Sequence, residues 1–295
     1  MTDEAALSPT ERGRALAVLL FGACVIGLSP ILVRLSDTGP AAAGFWRLAF
    51  ALPLLGLLTR RAGGQIGRPP PIALLAGLFF ALDLGFWHYG VKYTSVTNAT
   101  VLTNLTPVIV TAFAWIFLKE RPKALFLLAV TAAVIGAGLM AIGKGAGALI
   151  NQPLGDALSV TTAFWYALYF LAMARGRRTE TASRLMFWVT MAGAPMLLIP
   201  SLLLGEPLAP STAVGWAACA GLGLMHVGGQ GSIAWAMGRL PMATASVVIL
   251  VQPVVAAGLG WLLFSEAIGP LQALGALVTL AGVVLAQWSS RPMSD

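Results

Sequence analysis

The chain has 295 residues, 58% of them hydrophobic and 10% charged, with a mean hydropathy of +0.85 and a formal net charge of +7. That composition excludes an ordinary soluble surface and identifies an integral membrane protein. No basic run falls on a soluble element, so the excess of 18 Lys and Arg over 11 Asp and Glu points to membrane topology and anionic lipid rather than to nucleic acid.

In chain order, the first fourteen residues include Asp3, Glu4 and Glu11 and lead straight into a full-length apolar stretch, so the first helix is expected to be retained rather than cleaved as a signal. About 20 apolar residues suffice to cross the hydrocarbon core as a helix. Ten spans are expected on that basis, at 14–34, 40–59, 71–91, 97–118, 123–142, 156–174, 184–204, 212–236, 243–264 and 268–288, referred to below as spans 1 to 10. The connections are too short to hold a separate soluble domain. Cys24 and Cys219 fall inside spans 1 and 8, far apart in sequence, and read as small packing residues rather than a disulfide or a metal site.

Basic residues should collect on alternate loops if the span count is right. With the N-terminus cytoplasmic, the inner segments carry Arg12, Arg14, Arg60, Arg61, Arg68, Lys119, Arg121, Lys123, Arg175, Arg177, Arg178, Arg184, Arg239 and Arg291, which is 14 of the 18. Arg34, Lys92 and Lys144 are outside, and Arg47 lies within span 2. Both termini are therefore expected in the cytoplasm of a multi-pass protein of the inner (plasma) membrane.

The chain repeats itself. A shift of 146 places carries Pro107 onto Pro253, Trp115 onto Trp261, Glu120 onto Glu266 and Gly136 onto Gly282, and a shift of 142 carries Phe45-Trp46 onto Phe187-Trp188 and Pro53 onto Pro195. Two homologous halves are expected, 13–143 with spans 1 to 5 and 155–288 with spans 6 to 10. Five is an odd number, so the second half enters the bilayer upside down relative to the first. The fold expected is all-α, two inverted five-helix repeats, an architecture that secondary transporters use with the substrate site where the repeats meet.

Several motifs carry no weight in this context. Gly229-Gln230-Gly231-Ser232-Ile233-Ala234 fits a dinucleotide fingerprint but follows no strand and lies mid-membrane, where helix packing explains its glycines. The sequons at Asn98 and Asn104 lie at or within the bilayer. Phosphate-binding GxxxxGK[ST], HExxH, CxxC and GxSxG patterns do not occur, so neither an enzyme nor a cofactor or metal is expected.

Ionisable groups inside a membrane are expensive and are functional or paired by default. Asp83 is the acid deep in a span and Arg47 the deep base, at similar depth in spans 3 and 2, so a structural ion pair is expected, with substrate or proton handling the open alternative. The repeat places Val189 and Gly229 at their counterparts. Span 4 sets Thr100, Thr103, Asn104, Pro107 and Thr111 on one stripe. Pro107, and Pro253 beside Gln252 in span 9, each remove a helix hydrogen bond at the same register, a pattern that marks transport sites or, more simply, static kinks. Span 3 adds Phe79, Phe80, Phe86 and Trp87 around Asp83, span 6 adds Trp165, Tyr166, Tyr169 and Phe170, and span 8 adds His226 and Gln230. The substrate-binding set expected is Phe79, Asp83, Trp87, Thr103, Asn104, Trp165, Tyr169, His226 and Gln252, with Pro107 and Pro253 as gating or helix-break residues. Helix packing is the alternative for the aromatic positions and a helix-to-helix hydrogen bond for His226.

The stretch from Tyr93-Thr94-Ser95-Val96 through Pro107 to Leu118-Lys119-Glu120-Arg121, its weaker copy through Pro253 to Phe264-Ser265-Glu266, and the early arginine of the second span, Arg47, together resemble the EamA domain of the drug/metabolite transporter superfamily. The resemblance covers nearly the whole chain. The aromatic span 6 looks most like the bacterial inner-membrane exporters of aromatic amino acids, the YddG type. The resemblance implies export by alternating access through a central cavity, with a small-molecule substrate and a lipid environment. Ser265 departs from the family at the place of a small residue, a minor change in a loop.

The function expected is a secondary exporter of amino acids with aromatic or bulky apolar side chains, working as a monomer. A multidrug or other metabolite exporter is the rival within transport; span 1 lacks the buried acid that small four-helix drug exporters use. An integral membrane enzyme acting on lipid-linked substrates is the rival from another class, and it would need a polar cluster at one interface.

Overall fold

The computed structural model describes residues 8–62, 65–93, 102–119, 121–142, 151–264 and 268–289. The motif residues Thr94, Ser95, Val96, Glu120, Ser265 and Glu266, as well as Thr100, lie outside the described residues. The described chain is all-helical. Span 1 is Pro9–Ile26 followed by Ser29–Leu35, span 2 is Pro40–Arg61 and span 3 is Pro71–Tyr93. Span 4 contains Thr106–Leu118, span 5 is Ala124–Ile142, span 6 is Gln152–Gly176 and span 7 is Ala182–Leu203. Span 8 runs through Ala213–Met225, a π-helical turn His226–Gln230 and Gly231–Met237; span 9 is Met242–Val248 and Val251–Phe264; span 10 is Pro270–Ser289. Six of the described helices are both long and apolar enough to cross a membrane.

Four helices start where a side chain accepts from the free N–H groups of the first turn. Ser8 and Glu11 form a reciprocal capping box ahead of span 1. Asn151, Thr181 and Thr212 accept from Leu154, Arg184 and Gly215 at the starts of spans 6, 7 and 8. Pro9, Pro40, Pro71 and Pro270 open their helices, where a missing N–H costs nothing. Outward faces are apolar: Leu203 is 80% exposed, Leu262 68% and Trp261 58%, a surface that only lipid tolerates.

Span 5 packs along span 10, span 2 along span 7, span 3 along spans 6 and 7, and span 8 along spans 1 and 2; span 4 meets spans 6 and 9, and span 9 also meets span 1. Small residues set the closest approaches. A Cβ on Gly282 of span 10 would lie 2.6 Å from the backbone nitrogen of Ala133 in span 5, and one on Gly136 would meet Thr279 and Gly275 in return. Those pairings run in opposite chain directions, so spans 5 and 10 are antiparallel.

Spans 2 and 7 are antiparallel too, and each is fastened to the loop that follows the other. The Trp46 indole donates to the carbonyl of Leu208 at 2.7 Å, and the Trp188 indole donates to the carbonyl of Ile66 at 3.0 Å. At the Leu208 end, Glu206 accepts from the amides of Ala41 and Ala42 at 3.0 and 3.1 Å and from the Tyr89 hydroxyl at 2.5 Å. Asp37 there accepts from the amides and hydroxyls of both Ser211 and Thr212. At the Ile66 end, Arg184 donates to the carbonyls of Ile66 and Arg68 and pairs with Glu180.

Among the described residues three spans are interrupted by turns, each just before a proline. Span 4 opens at Asn104-Leu105 before Pro107, span 9 at Ile249-Leu250 before Pro253, and span 1 at Gly27-Leu28 before Pro30. Proline lacks an N–H and clashes with the preceding turn, so the helix stops short and restarts with the proline in its first turn. The repeat mate of span 1, span 6, runs unbroken.

Candidate functional site

The interruptions converge on one cavity of about 240 Å³ lined by spans 1, 2, 3, 4, 5, 6, 8 and 9. Gly27, Ser29 and Pro30 come from the break in span 1, Thr103, Asn104 and Thr106 from that in span 4, and Ile249, Leu250, Gln252 and Pro253 from that in span 9. Interrupted backbone at membrane depth is tolerated where it lines a cavity, since nothing in lipid would satisfy it. The rest of the wall is mostly apolar or aromatic, with Ile26, Phe80, Leu84, Trp87, Met140, Tyr166 and Ala256; Arg47, Asp83, Thr162 and Gln230 add polar groups.

Among the residues expected from sequence, Asp83, Trp87, Thr103, Asn104 and Gln252 are on this wall together with Arg47 and Pro253. The others lie around it. Phe79 and Trp165 stack on each other between spans 3 and 6, with centroids 5.9 Å apart and 24° between planes. Tyr169 is fully buried behind the wall, where its hydroxyl accepts from Gln230 at 3.1 Å and its ring lies 4.8 Å from Phe80. His226 is also fully buried and shares a 2.9 Å hydrogen bond with Thr190 of span 7. Pro107 stands one residue beyond the wall, next to Thr106, and the Thr111 hydroxyl donates to its carbonyl at 2.6 Å.

Arg47 and Asp83 share the wall without touching. The Arg47 guanidinium donates to the Ser29 hydroxyl at 3.3 Å and lies 5.7 Å above the Phe80 ring, while its Nε has no partner. Among the described residues, Asp83 has neither a hydrogen-bond partner nor an ion pair. The Thr103 hydroxyl and the side-chain nitrogens of Asn104 and Gln252 are also buried without partners in the protein. Such groups are costly unless something completes them, which marks the cavity as a place for a polar ligand.

Several wall residues carried little signal in the sequence. Ser29 is an isolated hydroxyl in an apolar run, Thr162 is one of three hydroxyls among Ser159, Thr161 and Thr162, and Gln230 reaches the wall through the π turn of span 8. Pro30 was the available clue to the break in span 1, being a proline inside a span as Pro107 and Pro253 are. The described residues contain no cluster of three or more His, Cys, Asp or Glu suited to a metal ion.

The comparisons with known proteins agree with this architecture. A model of the EamA-like transporter family matches residues 13–142 and again 153–288, and one of solute carrier family 35 matches residues 87–205. The pseudopaline exporter CntI of Pseudomonas aeruginosa is 26% identical over 264 residues, 88% of this chain and 91% of that protein. An uncharacterized transporter of Archaeoglobus fulgidus is 24% identical over 273 residues, 92% of this chain and 95% of that protein. A WAT1-related protein of Arabidopsis thaliana is 26% identical over 250 residues, 74% of this chain and 65% of that protein. One crystal structure superposes with a TM-score of 0.77 at 16% identity, covering 95% of this chain and 99% of that one, a likeness of fold. With a membrane-embedded cavity and family matches over both halves, the chain belongs to the EamA-like transporter family.

Proposed function

We propose that this protein exports amino acids with aromatic or bulky apolar side chains, as a monomer of the YddG type in the inner membrane. It does so by alternating access between two inverted five-span halves, both termini being cytoplasmic. The observation that carries the reading is the cavity wall: broken helices from both halves meet there, and most of the surface between them is apolar or aromatic. Its volume of about 240 Å³ falls below the roughly 300–1,000 Å³ of pockets that hold drug-sized ligands, which favours a small metabolite over a drug.

The packing supports the inverted halves. Exchanging each span for the one five places later turns the contacts of span 3 with spans 6 and 7 into those of span 8 with spans 1 and 2, and leaves the pairs 2–7, 4–9 and 5–10 as they are. Inverted halves of this kind give a carrier two alternative ways to close around one site. The relative that exports pseudopaline favours a second reading, export of another metabolite through the same cavity.

The test is flux of labelled amino acids in proteoliposomes holding the purified protein. Phenylalanine, tryptophan, methionine and leucine should move faster than glycine, aspartate and lysine, by no more than about 10- to 200-fold since apolar pockets discriminate modestly. Equal flux of aspartate and phenylalanine would contradict the apolar cavity.

A further inference from the structure

Two side chains of opposite charge type line one small membrane cavity and form no ion pair with each other. Arg47 is 4% exposed and Asp83 8%, both inside the bundle, at a depth where an isolated charge is disfavoured and opposite charges ordinarily pair. The guanidinium is instead held aside by Ser29, at the break in span 1, and rests over the Phe80 ring. That tether engages one guanidinium nitrogen and leaves Nε without a partner on a residue that lines the cavity. The Asp83 carboxylate, one turn below Trp87 on span 3, accepts from no described residue. Val189 and Gly229, at the repeat positions of Arg47 and Asp83, are uncharged, so the cavity has one charged pair and one orientation for a ligand.

We propose that Arg47 and Asp83 are the two poles of a zwitterion site, Arg47 taking the substrate's carboxylate and Asp83 its ammonium. This deepens the exporter reading and rests on it. A planar guanidinium matches a carboxylate, and a carboxylate with free lone pairs matches an ammonium with its three donors. A ligand carrying both groups completes both charges at once. An amine alone leaves Arg47 buried and uncompensated, and an acid alone does the same to Asp83. The substrate's side chain then falls on the apolar wall of Phe80, Leu84, Trp87 and Tyr166. The substrate class that follows is the free amino acid with both charges intact, and not the related amines, acids or cationic drugs.

The experiment uses three labelled compounds of one ring and similar size in proteoliposomes: phenylalanine, phenethylamine and 3-phenylpropionate. The wild type should move phenylalanine at least about tenfold faster than either analogue, since a hydrogen bond to a charged group is worth roughly 10- to 100-fold. Asp83→Asn should lower phenylalanine flux by that factor while leaving 3-phenylpropionate no slower, and Arg47→Gln should do the same while sparing phenethylamine. Arg47→Lys and Asp83→Glu preserve each sign and should keep phenylalanine ahead of the analogue lacking the matching charge, which covers neutral variants that fail to fold. If phenylalanine moves but a variant slows all three compounds alike, or if the sign-preserving variants lose all preference, the poles are overturned while the exporter reading stands. Flux of none of the three through the wild type overturns both.

Discussion

Trp46 and Trp188 stand 142 positions apart and make the same bond, each indole donating to a carbonyl of the other half, and the two acceptors, Leu208 and Ile66, are themselves 142 apart. The bonds sit at opposite ends of the antiparallel pair formed by spans 2 and 7. Trp46→Phe and Trp188→Phe keep the ring and remove the donor. Each should lower stability by about 0.5 to 1.5 kcal/mol, the usual net value of such a bond, and the double variant should cost the sum because the sites are far apart. Thermal unfolding in detergent measures this; a cost at one tryptophan alone would contradict the equivalence.

Asp37 gives a pH signature at the Leu208 end. The Thr212 hydroxyl first, then Ser211 and the two backbone amides, hold its carboxyl below the usual carboxylate range. A carboxyl with a lowered folded-state pKa contributes stability that is present above its unfolded value, about 3.9, and lost as the pH falls through the folded-state value. The melting temperature should therefore fall on acidification below about pH 4. Asp37→Asn, which tolerates the left-handed φ of 45° at this position, should lose that part of the slope. An unchanged slope in the variant would remove Asp37 from the account.

Gly282 and Gly138 form an internal control. A methyl on Gly282 meets the span 5 backbone, whereas one on Gly138 meets nothing within 4 Å. Gly282→Ala should destabilise by about 1 to 3 kcal/mol through overpacking. Gly138→Ala, in a helix interior, should stabilise by roughly 0.5 to 1 kcal/mol. Equal effects on unfolding would mean that spans 5 and 10 are not in close contact.

The prolines act through the breaks beside them. Pro107 and Pro253 lie in the first turns of restarted helices, so alanine there costs little in folding but allows helix to grow across Asn104-Leu105 and Ile249-Leu250. Turnover should fall in Pro107→Ala and Pro253→Ala by more than stability does. Wild-type flux in both would reduce these prolines to static kinks.

Much of this fold was legible because lipid forces long apolar runs, and because duplicated landmarks such as Trp46/Trp188 and Gly136/Gly282 survive as contacts. The breaks in spans 4 and 9 were legible through Pro107 and Pro253. The break in span 1 was missed although Pro30 was a clue to it, because Pro30 lies only four residues from the end of the expected span 14–34. Nor was the π turn of span 8 legible: Gly229 there packs closely against Val25 and Ile26 of span 1, a tertiary contact and not a local pattern. In span 6 two aromatic stripes compete, and only the packing of span 3 decides that Tyr166 is on the wall and Tyr169 behind it. The depth of Arg47 and Asp83 was readable, but whether they touch depends on Ser29, a tertiary partner 18 residues from Arg47.

The measurement that bears most directly on transport through this cavity is two-sided cysteine accessibility. With Cys24 and Cys219 replaced by alanine, a single cysteine at Thr103 or Ala256 on the wall is exposed to a membrane-impermeant maleimide added to one side of the membrane at a time. The account predicts labelling from either side, slowing in the presence of phenylalanine, and loss of flux once the site is labelled. Labelling from one side only, with no protection by phenylalanine, would contradict alternating access through the cavity.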